Sequence, residues 1–181
     1  MISDPFTPFA SSYFRIKHAS DPWEVDGAAR LRREVFCREQ GIFENHDRDE
    51  IDAVALHIVA LSSMAVLSDE VVGTVRIHQP QPGVWTGSRL AVDRGYRRTG
   101  ALGAALIKLA VSTATSVGCQ RFYAHVQSQN ELMFRRLNWQ RIEEIELHGL
   151  PHVLMQADLA AYPPLINAQD GFHALAKRIA A

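Results

Sequence analysis

The sequence predicts an α/β domain, built on a mostly antiparallel central sheet with flanking helices and one parallel strand pair. Short apolar runs that alternate, or stay apolar throughout, recur between turn residues, as strands do. Two longer segments instead repeat apolar residues at helical spacing. A strand–loop–helix–strand step from Val84 to Gln127 supplies one parallel crossover.

The elements follow in chain order. Residues 1–13 read as a tail, and Tyr13 to His18 as a first strand. Asp21-Pro22 opens a helix, with Asp as N-cap and Pro in the first turn. Val25, Ala28, Ala29, Leu31, Val35 and Phe36 keep its apolar spacing until Gln40-Gly41. Glu44 to Asp52 is a polar, acidic loop. Ala53 to Leu61 is apolar enough for a strand buried on both faces. Ser62-Ser63 and Ser68-Asp69-Glu70 are turn candidates before a strand from Val71 to Gln79. Pro80 to Gly83 turns the chain into a strand from Val84 to Val92. Ala101 to Val117 is a helix with one apolar stripe, ended by Gly118. Gln120 to Gln127 is a strand, Gln129 to Leu137 a short helix, and Trp139 to Leu147 a strand. Gly149-Leu150-Pro151 turns into a strand from His152 to Asp158. The main domain spans 14–160. Residues 161–181 are a linker and one more helix, Asn167 to Ala180, whose stripe of Phe172, Leu175, Ala176 and Ile179 packs on its own domain or in a homodimer.

Composition excludes several classes. With 181 residues and 47% apolar content, the chain has enough to bury a core, and wholesale disorder is excluded. The net charge of -1 shows no basic excess for a nucleic-acid partner. No apolar run reaches the roughly 18 residues of a membrane span. Met1 to Ser12 lacks the basic-then-apolar order of a signal peptide, so the expected location is cytoplasmic. Two cysteines, Cys37 and Cys119, make neither a disulfide framework nor a zinc cluster.

The chemistry concentrates between Arg89 and Leu106. A strand enters a loop holding Arg97, Arg98 and Thr99, then a helix opening on Gly100, Ala101, Leu102, Gly103 and Ala104. A helix start presents unpaired N–H groups and about half a positive charge. Small residues let a phosphate approach them, and the arginines add fork-shaped donors. The segment fits neither the Gly-x-x-x-x-Gly-Lys-Ser/Thr loop nor the Gly-x-Gly-x-x-Gly loop.

This stretch resembles motif A of the GNAT acyltransferases, an acetyl-CoA-dependent superfamily, whose signature is Gln/Arg-x-x-Gly-x-Gly/Ala. Arg97-x-x-Gly100-x-Leu102 fails at its last position, whereas Arg98-x-x-Ala101-x-Gly103 fits with Ala for the first Gly. Asn130 to Trp139 resembles the family's next helix, with Asn138 in place of its Gly. Arg32 to Gln40, with Asp49, Asp52 and His57 after it, resembles the ElaA-type branch. Pro82-Gly-Val-Trp, Arg89-Leu-Ala-Val, Ala124-His-Val-Gln and Glu146 to Met155 resemble a bacterial group found with nitrilase clusters and nitrogen starvation. The resemblance covers about residues 14–160 and implies a splayed parallel strand pair. It implies that Leu90, Ala91 and Val92 bind the pantetheine arm of acetyl-CoA, and that Arg97 to Ala104 hold its pyrophosphate. Asn130 and Phe134 line the same cosubstrate site. The acceptor is then a small-molecule or peptide amine that attacks the thioester directly.

Two departures bear on mechanism. Phe134 stands where many members carry a Tyr that protonates the leaving thiolate. Trp85, Thr86, Gly87 and Ser88 offer no carboxylate where many carry a Glu. His125, near the end of its strand, is the candidate base, since imidazole titrates near neutrality. The alternative is a strand His bonded to backbone. His57 reads as a satisfied core His and His78 as a solvated one. His148 and His152 bracket a turn, but no third ligand at suitable spacing supports a metal, so none is expected. Cys119 reads as a buried structural thiol. The acidic run through Glu39, Asp47, Asp49, Glu50 and Asp52 either steers a cationic amine or is a solvated face. Trp23, Trp85 and Trp139 are expected in the core or at its edge. A non-catalytic CoA-binding module on the same fold is the competing reading. An acyl-homoserine-lactone synthase is disfavoured because Glu39-Gln-Gly-Ile-Phe replaces the Trp and acidic residues expected there.

Overall fold

The computed structural model describes residues 11–64 and 67–175; the side chains of Met64, Leu67, Asp69, Arg98 and Thr99 lie outside the description. Most of the expected tail, residues 1–10, also lies outside it. Eight strands form one sheet: β1 Tyr13–His18, β2 Leu56–Met64, β3 Leu67–Gln81, β4 Val84–Val92, β5 Arg121–Gln127, β6 Trp139–Leu147, β7 Leu150–Ala157 and β8 Phe172–Leu175. Their spatial order is β6-β7-β5-β4-β3-β2-β1-β8. Every pairing is antiparallel except β4 with β5, as the crossover predicts.

Alternation along the strands divides the interior into two layers. Ile58, Ala60, Val72, Val75 and Ile77 face helix α2, Ala101–Ser116, in the larger core. Val59, Leu61, Val71 and Ala91 face helix α1, Pro22–Arg32, on the other side. Helix α1 starts at Pro22, as predicted, and Glu24 fastens its start. That carboxylate accepts from the Ser20 and Asp21 amides at 2.7 and 3.2 Å and from Lys17 Nζ at 2.7 Å. A Cβ on Gly27 would lie 2.6 Å from Val71 Cγ2, so this glycine sets how closely α1 packs on β3. Beyond Arg32 the helix widens into a π-helical segment, Arg33–Glu39, which keeps Val35 and Phe36 in the core.

Three expectations are corrected. Neither Ser62-Ser63 nor Ser68-Asp69-Glu70 turns the chain; β2 and β3 run through both, with Met64 paired to Leu67. Leu150 and Pro151 belong to β7, leaving His148 and Gly149, both with positive φ, to make that turn. The helix expected over Asn167 to Ala180 is a 3₁₀ turn, Ala168–Asp170, followed by β8 on β1; residues 176–181 lie outside the description. Phe172 and Ala174 pack against the core while His173 and Leu175 are exposed, so the apolar period here is two.

Candidate active site

The β4–β5 pairing positions the site. It runs from Val84↔Arg121 to Gly87↔Ala124 and then stops, although β4 continues to Val92 and β5 to Gln127. The two strands therefore splay beyond Gly87. A bulge assists: Ala91 pairs with Thr74 and Ser88 with Arg76, so Arg89 and Leu90 together oppose Val75. Arg89 adopts φ +54° there. A cavity of about 650 Å³ fills the opening.

Alternation gives its two faces different chemistry. Thr86, Ser88 and Arg89 on β4, His125 and Gln127 on β5, and His152 on β7 line the α1 side. Burial pushes the His125 imidazole below its ordinary pKa, and the nearby His152 lowers it further, against a smaller upward pull from Glu143. His125 is therefore neutral at pH 7 and can accept a proton. His152 approaches the same cavity. Its Nδ1 lies 2.9 Å from the Leu150 carbonyl, which can only accept, so Nδ1 carries the hydrogen and the lone pair of the neutral ring is on Nε2. Sequence reasoning set His152 aside with the metal question. The signal was its register, since His152 pairs with Gln127, two residues from His125 on the same face.

The acidic run is not a free negative surface. Arg32 Nε meets Asp47 Oδ2 at 2.6 Å, and Arg32 Nη1 meets Asp52 Oδ1 at 2.6 Å. Arg76 grips Asp49 with both terminal nitrogens at 2.6 and 2.7 Å and reaches Asp52 at 2.9 Å. Arg89 contacts Asp47 at 3.0 Å and Asp49 at 3.2 Å. Three aspartates and three arginines thus neutralise one another. The Arg76 hydrogen bonds hold the Asp49 carboxyl below the usual range. Burial would raise Asp52, but hydrogen bonds from Arg32, the Asp49 amide and Arg76 bring it well below that range. Steering of a cationic amine by these three aspartates is therefore corrected. Phe43 closes the cluster, with the Arg89 guanidinium 4.7 Å from its ring centroid and the His148 ring edge-on at 5.0 Å.

The residues expected to bind the cosubstrate divide. Leu90, Asn130 and Phe134 border the cavity. Ala91 is buried against the α1 layer, and the Val92 carbonyl accepts from Arg97 Nε at 2.7 Å. The Arg97 guanidinium also pairs with Glu39 at 2.7 and 3.0 Å, so it ties the loop to the π-helix rather than standing open. The loop from Arg94 to Thr99 is a 3₁₀ turn, and Gly100, at φ +65°, leads into α2. The N-cap position of α2 is Gly100, which has no side chain of its own. Among the described residues, a Cβ at Gly103 would meet only Met133 Sδ, at 3.9 Å, in ordinary contact. Phe134 is buried edge-on against Trp139, with ring centroids 5.0 Å apart.

The remaining candidates have structural settings. His57 Nε2 lies 3.5 Å from the Asp52 carbonyl. His78, expected in solvent, is instead half-buried at the cavity with Nδ1 unpartnered. Burial raises the Cys119 thiol pKa. Trp139 is core and Trp85 half-buried, whereas Trp23 is exposed on α1. Among the described residues no helix is long and apolar enough to cross a membrane.

Comparison with known proteins adds a family. Residues 24–136 match the model of the acetyltransferase (GNAT) family. A candidate acetyltransferase of Bacillus subtilis (strain 168) is 29% identical over 143 residues, covering 77% of this chain and 93% of that protein. A candidate N-acetyltransferase from Lactobacillus plantarum shares the fold with TM-score 0.71 and 22% identity, over 81% of this chain and 98% of that one. Escherichia coli ElaA shares it with TM-score 0.66 and 20% identity, over 80% and 98%.

Proposed function

This chain belongs to the acetyltransferase (GNAT) family, and from that premise we propose that it moves an acetyl group from acetyl-CoA to a primary amine by direct attack. The splay of β4 from β5 carries the reading. It opens strand backbone from Ser88 onward beside a cavity with a neutral imidazole on one face. The thioester would lie along β4 at Leu90 to Val92, with the pyrophosphate at the glycine-led start of α2. Close placement of amine and thioester supplies much of the rate. The amine nitrogen forms a bond to the carbonyl carbon, the C–S bond breaks, and His125 takes the proton shed by nitrogen. The CoA thiol resembles a cysteine thiol, with a pKa near 8.5, so the thiolate can leave without the acid that Phe134 cannot provide.

Gly103→Glu tests this reading. The site tolerates a Cβ, and a carboxylate there would face the incoming pyrophosphate. Calorimetry should show acetyl-CoA binding to the wild type, weakened on the order of 100-fold or more in the variant. No binding to the wild type overturns the proposal. Phe134, locked against Trp139 without a hydroxyl, favours a second reading, a non-catalytic CoA-binding module. Acyl transfer to any amine in a broad panel would exclude it.

A further inference from the structure

Charge on the α1 side of the cavity is unevenly compensated. Among the described residues Asp49 is the only carboxylate bordering it, and Arg76 already grips that carboxylate at 2.6 and 2.7 Å. Glu143 pulls on His125 without bordering the cavity. Arg89 takes the longer contact with each aspartate it meets. It lies 3.2 Å from Asp49 Oδ2, and 3.0 Å from Asp47 Oδ2 against 2.6 Å for Arg32. Its Nε and Nη2 make these contacts, and Nη1 has no hydrogen bond among the described residues. Burial, then the Arg76 cation, hold Arg89 below the ordinary guanidinium pKa despite Asp47 and Asp49. Arg48 borders the same cavity, is exposed, and has no ion pair among the described residues. With Arg32, Arg76 and Arg89 matched to Asp47, Asp49 and Asp52, Arg48 is the surplus cation.

The backbone brings Arg89 to this face. In regular alternation Ser88 and Arg89 would face opposite sides of the sheet. The bulge puts both on one side: Ser88 Oγ accepts from Arg76 Nε at 2.9 Å, and Arg89 meets the aspartate that Arg76 holds. An arginine at positive φ is held there by its surroundings rather than by local preference. The Arg76 side chain is sealed at 1% exposure, whereas Arg89 keeps 17%. Arg89 lies two residues past the last β4–β5 pair, as Val126 does, so it stands across the splay from the strand end that carries His125 and Gln127. It precedes Leu90 to Val92, and the start of α2 follows them, so the thioester would separate Arg89 from the pyrophosphate.

We propose that Arg89 anchors a carboxylate on the acceptor, so that the amine acetylated is that of an amino acid, with Arg48 drawing the anion in. This rests on the CoA-dependent reading above and names its acceptor. The carboxylate takes the Arg89 Nη1 hydrogens and faces the Arg48 charge, while the amine of the same molecule meets His125. A monoanion matches the single surplus cation, which a phosphate dianion would exceed.

Initial rates of CoA release from acetyl-CoA by the full chain test it, with common α-amino acids and straight-chain ω-amino acids each measured beside its carboxamide. The carboxamide has the less basic amine, so a preference for the acid cannot come from amine basicity. The preferred acid should exceed its carboxamide in kcat/KM by about 10–100-fold, mainly through KM. Arg89→Gln should lower that acid-to-amide ratio on the order of tenfold, whereas a merely structural loss would lower both rates and leave the ratio. Arg48→Gln, at an exposed position, should lower the ratio by roughly two- to fivefold, an effect that salt screens. The wild-type comparison decides the matter even if Arg89→Gln does not fold. If carboxamides or plain amines are acetylated as well as the acids, the anchor is wrong and acetyl transfer stands. If no amine consumes acetyl-CoA, both fall together.

Discussion

His125 is exposed enough to meet a substrate yet sits low in pKa, and its surroundings supply the cause. Burial disfavours the charged ring, and a protonated His152 two register positions away would repel it. A base with a depressed pKa is ready above that pKa and lost as pH falls through it. The acid limb of kcat/KM should therefore lie below pH 6.5. His125→Asn should lower kcat/KM by roughly 10²–10⁴-fold and remove that limb. His152→Asn should move the limb upward while leaving much of the rate. A limb that persists in His125→Asn would assign the base to another group. His125 was visible from sequence because its strand and its end of the strand were. Its neighbour was not, because His125 and His152 meet only through the β5–β7 register. The same reason hid the aspartate partners. Arg32, Arg76 and Arg89 stand 15 to 42 residues from the carboxylates they hold, and no local pattern encodes such pairs.

Elements with a local signature were legible. Asp21-Pro22 marks the start of α1, and Gly118 follows the end of α2. The splay could be anticipated only through the family resemblance, because pairing that stops after Gly87 depends on a bulge in β4 and on strand β3 beside it. The segment after Asn167 was misread since four residues are too few to distinguish a period of two from 3.6. Gly171 was the overlooked signal. At φ +65° it brings the chain against β1 so closely that a Cβ would lie 1.7 Å from the Ile16 carbonyl oxygen. Gly171→Ala should therefore detach β8 and destabilise the protein by more than about 1 kcal/mol, lowering Tm by roughly 2–4 °C or more. Amide exchange should accelerate at Phe14 and Ile16, within the β1–β8 pairing, while the β4–β5 amides keep their protection. An unchanged Tm would mean that β8 contributes little to the edge it covers.

Across the whole molecule the charged groups are arranged for neutral pH. His18, His57 and His78 are all held below their ordinary pKa, with burial the largest cause in each. Glu24, Asp49 and Asp52 are held below theirs, Glu24 despite burial, through Lys17 and the Ser20 and Asp21 amides. All six folded-state pKa values are depressed, so the sign is common. The stability each contributes is present above its unfolded pKa and is lost as pH falls through the folded one. The histidines should weaken the fold first, starting below about pH 6.5, and the carboxylates in a second step starting below about pH 4. The second step should be larger, because protonating Asp52 or Asp49 leaves the buried Arg32 and Arg76 cations without full partners. Urea midpoints at pH 7.5, 5.5 and 3.5 would separate the steps, with the larger drop between 5.5 and 3.5. Asp52→Asn should remove much of that drop while lowering stability at pH 7.5. A midpoint that does not change across the three pH values would show that the arginine–aspartate cluster orders the loop under Phe43 without stabilising the fold.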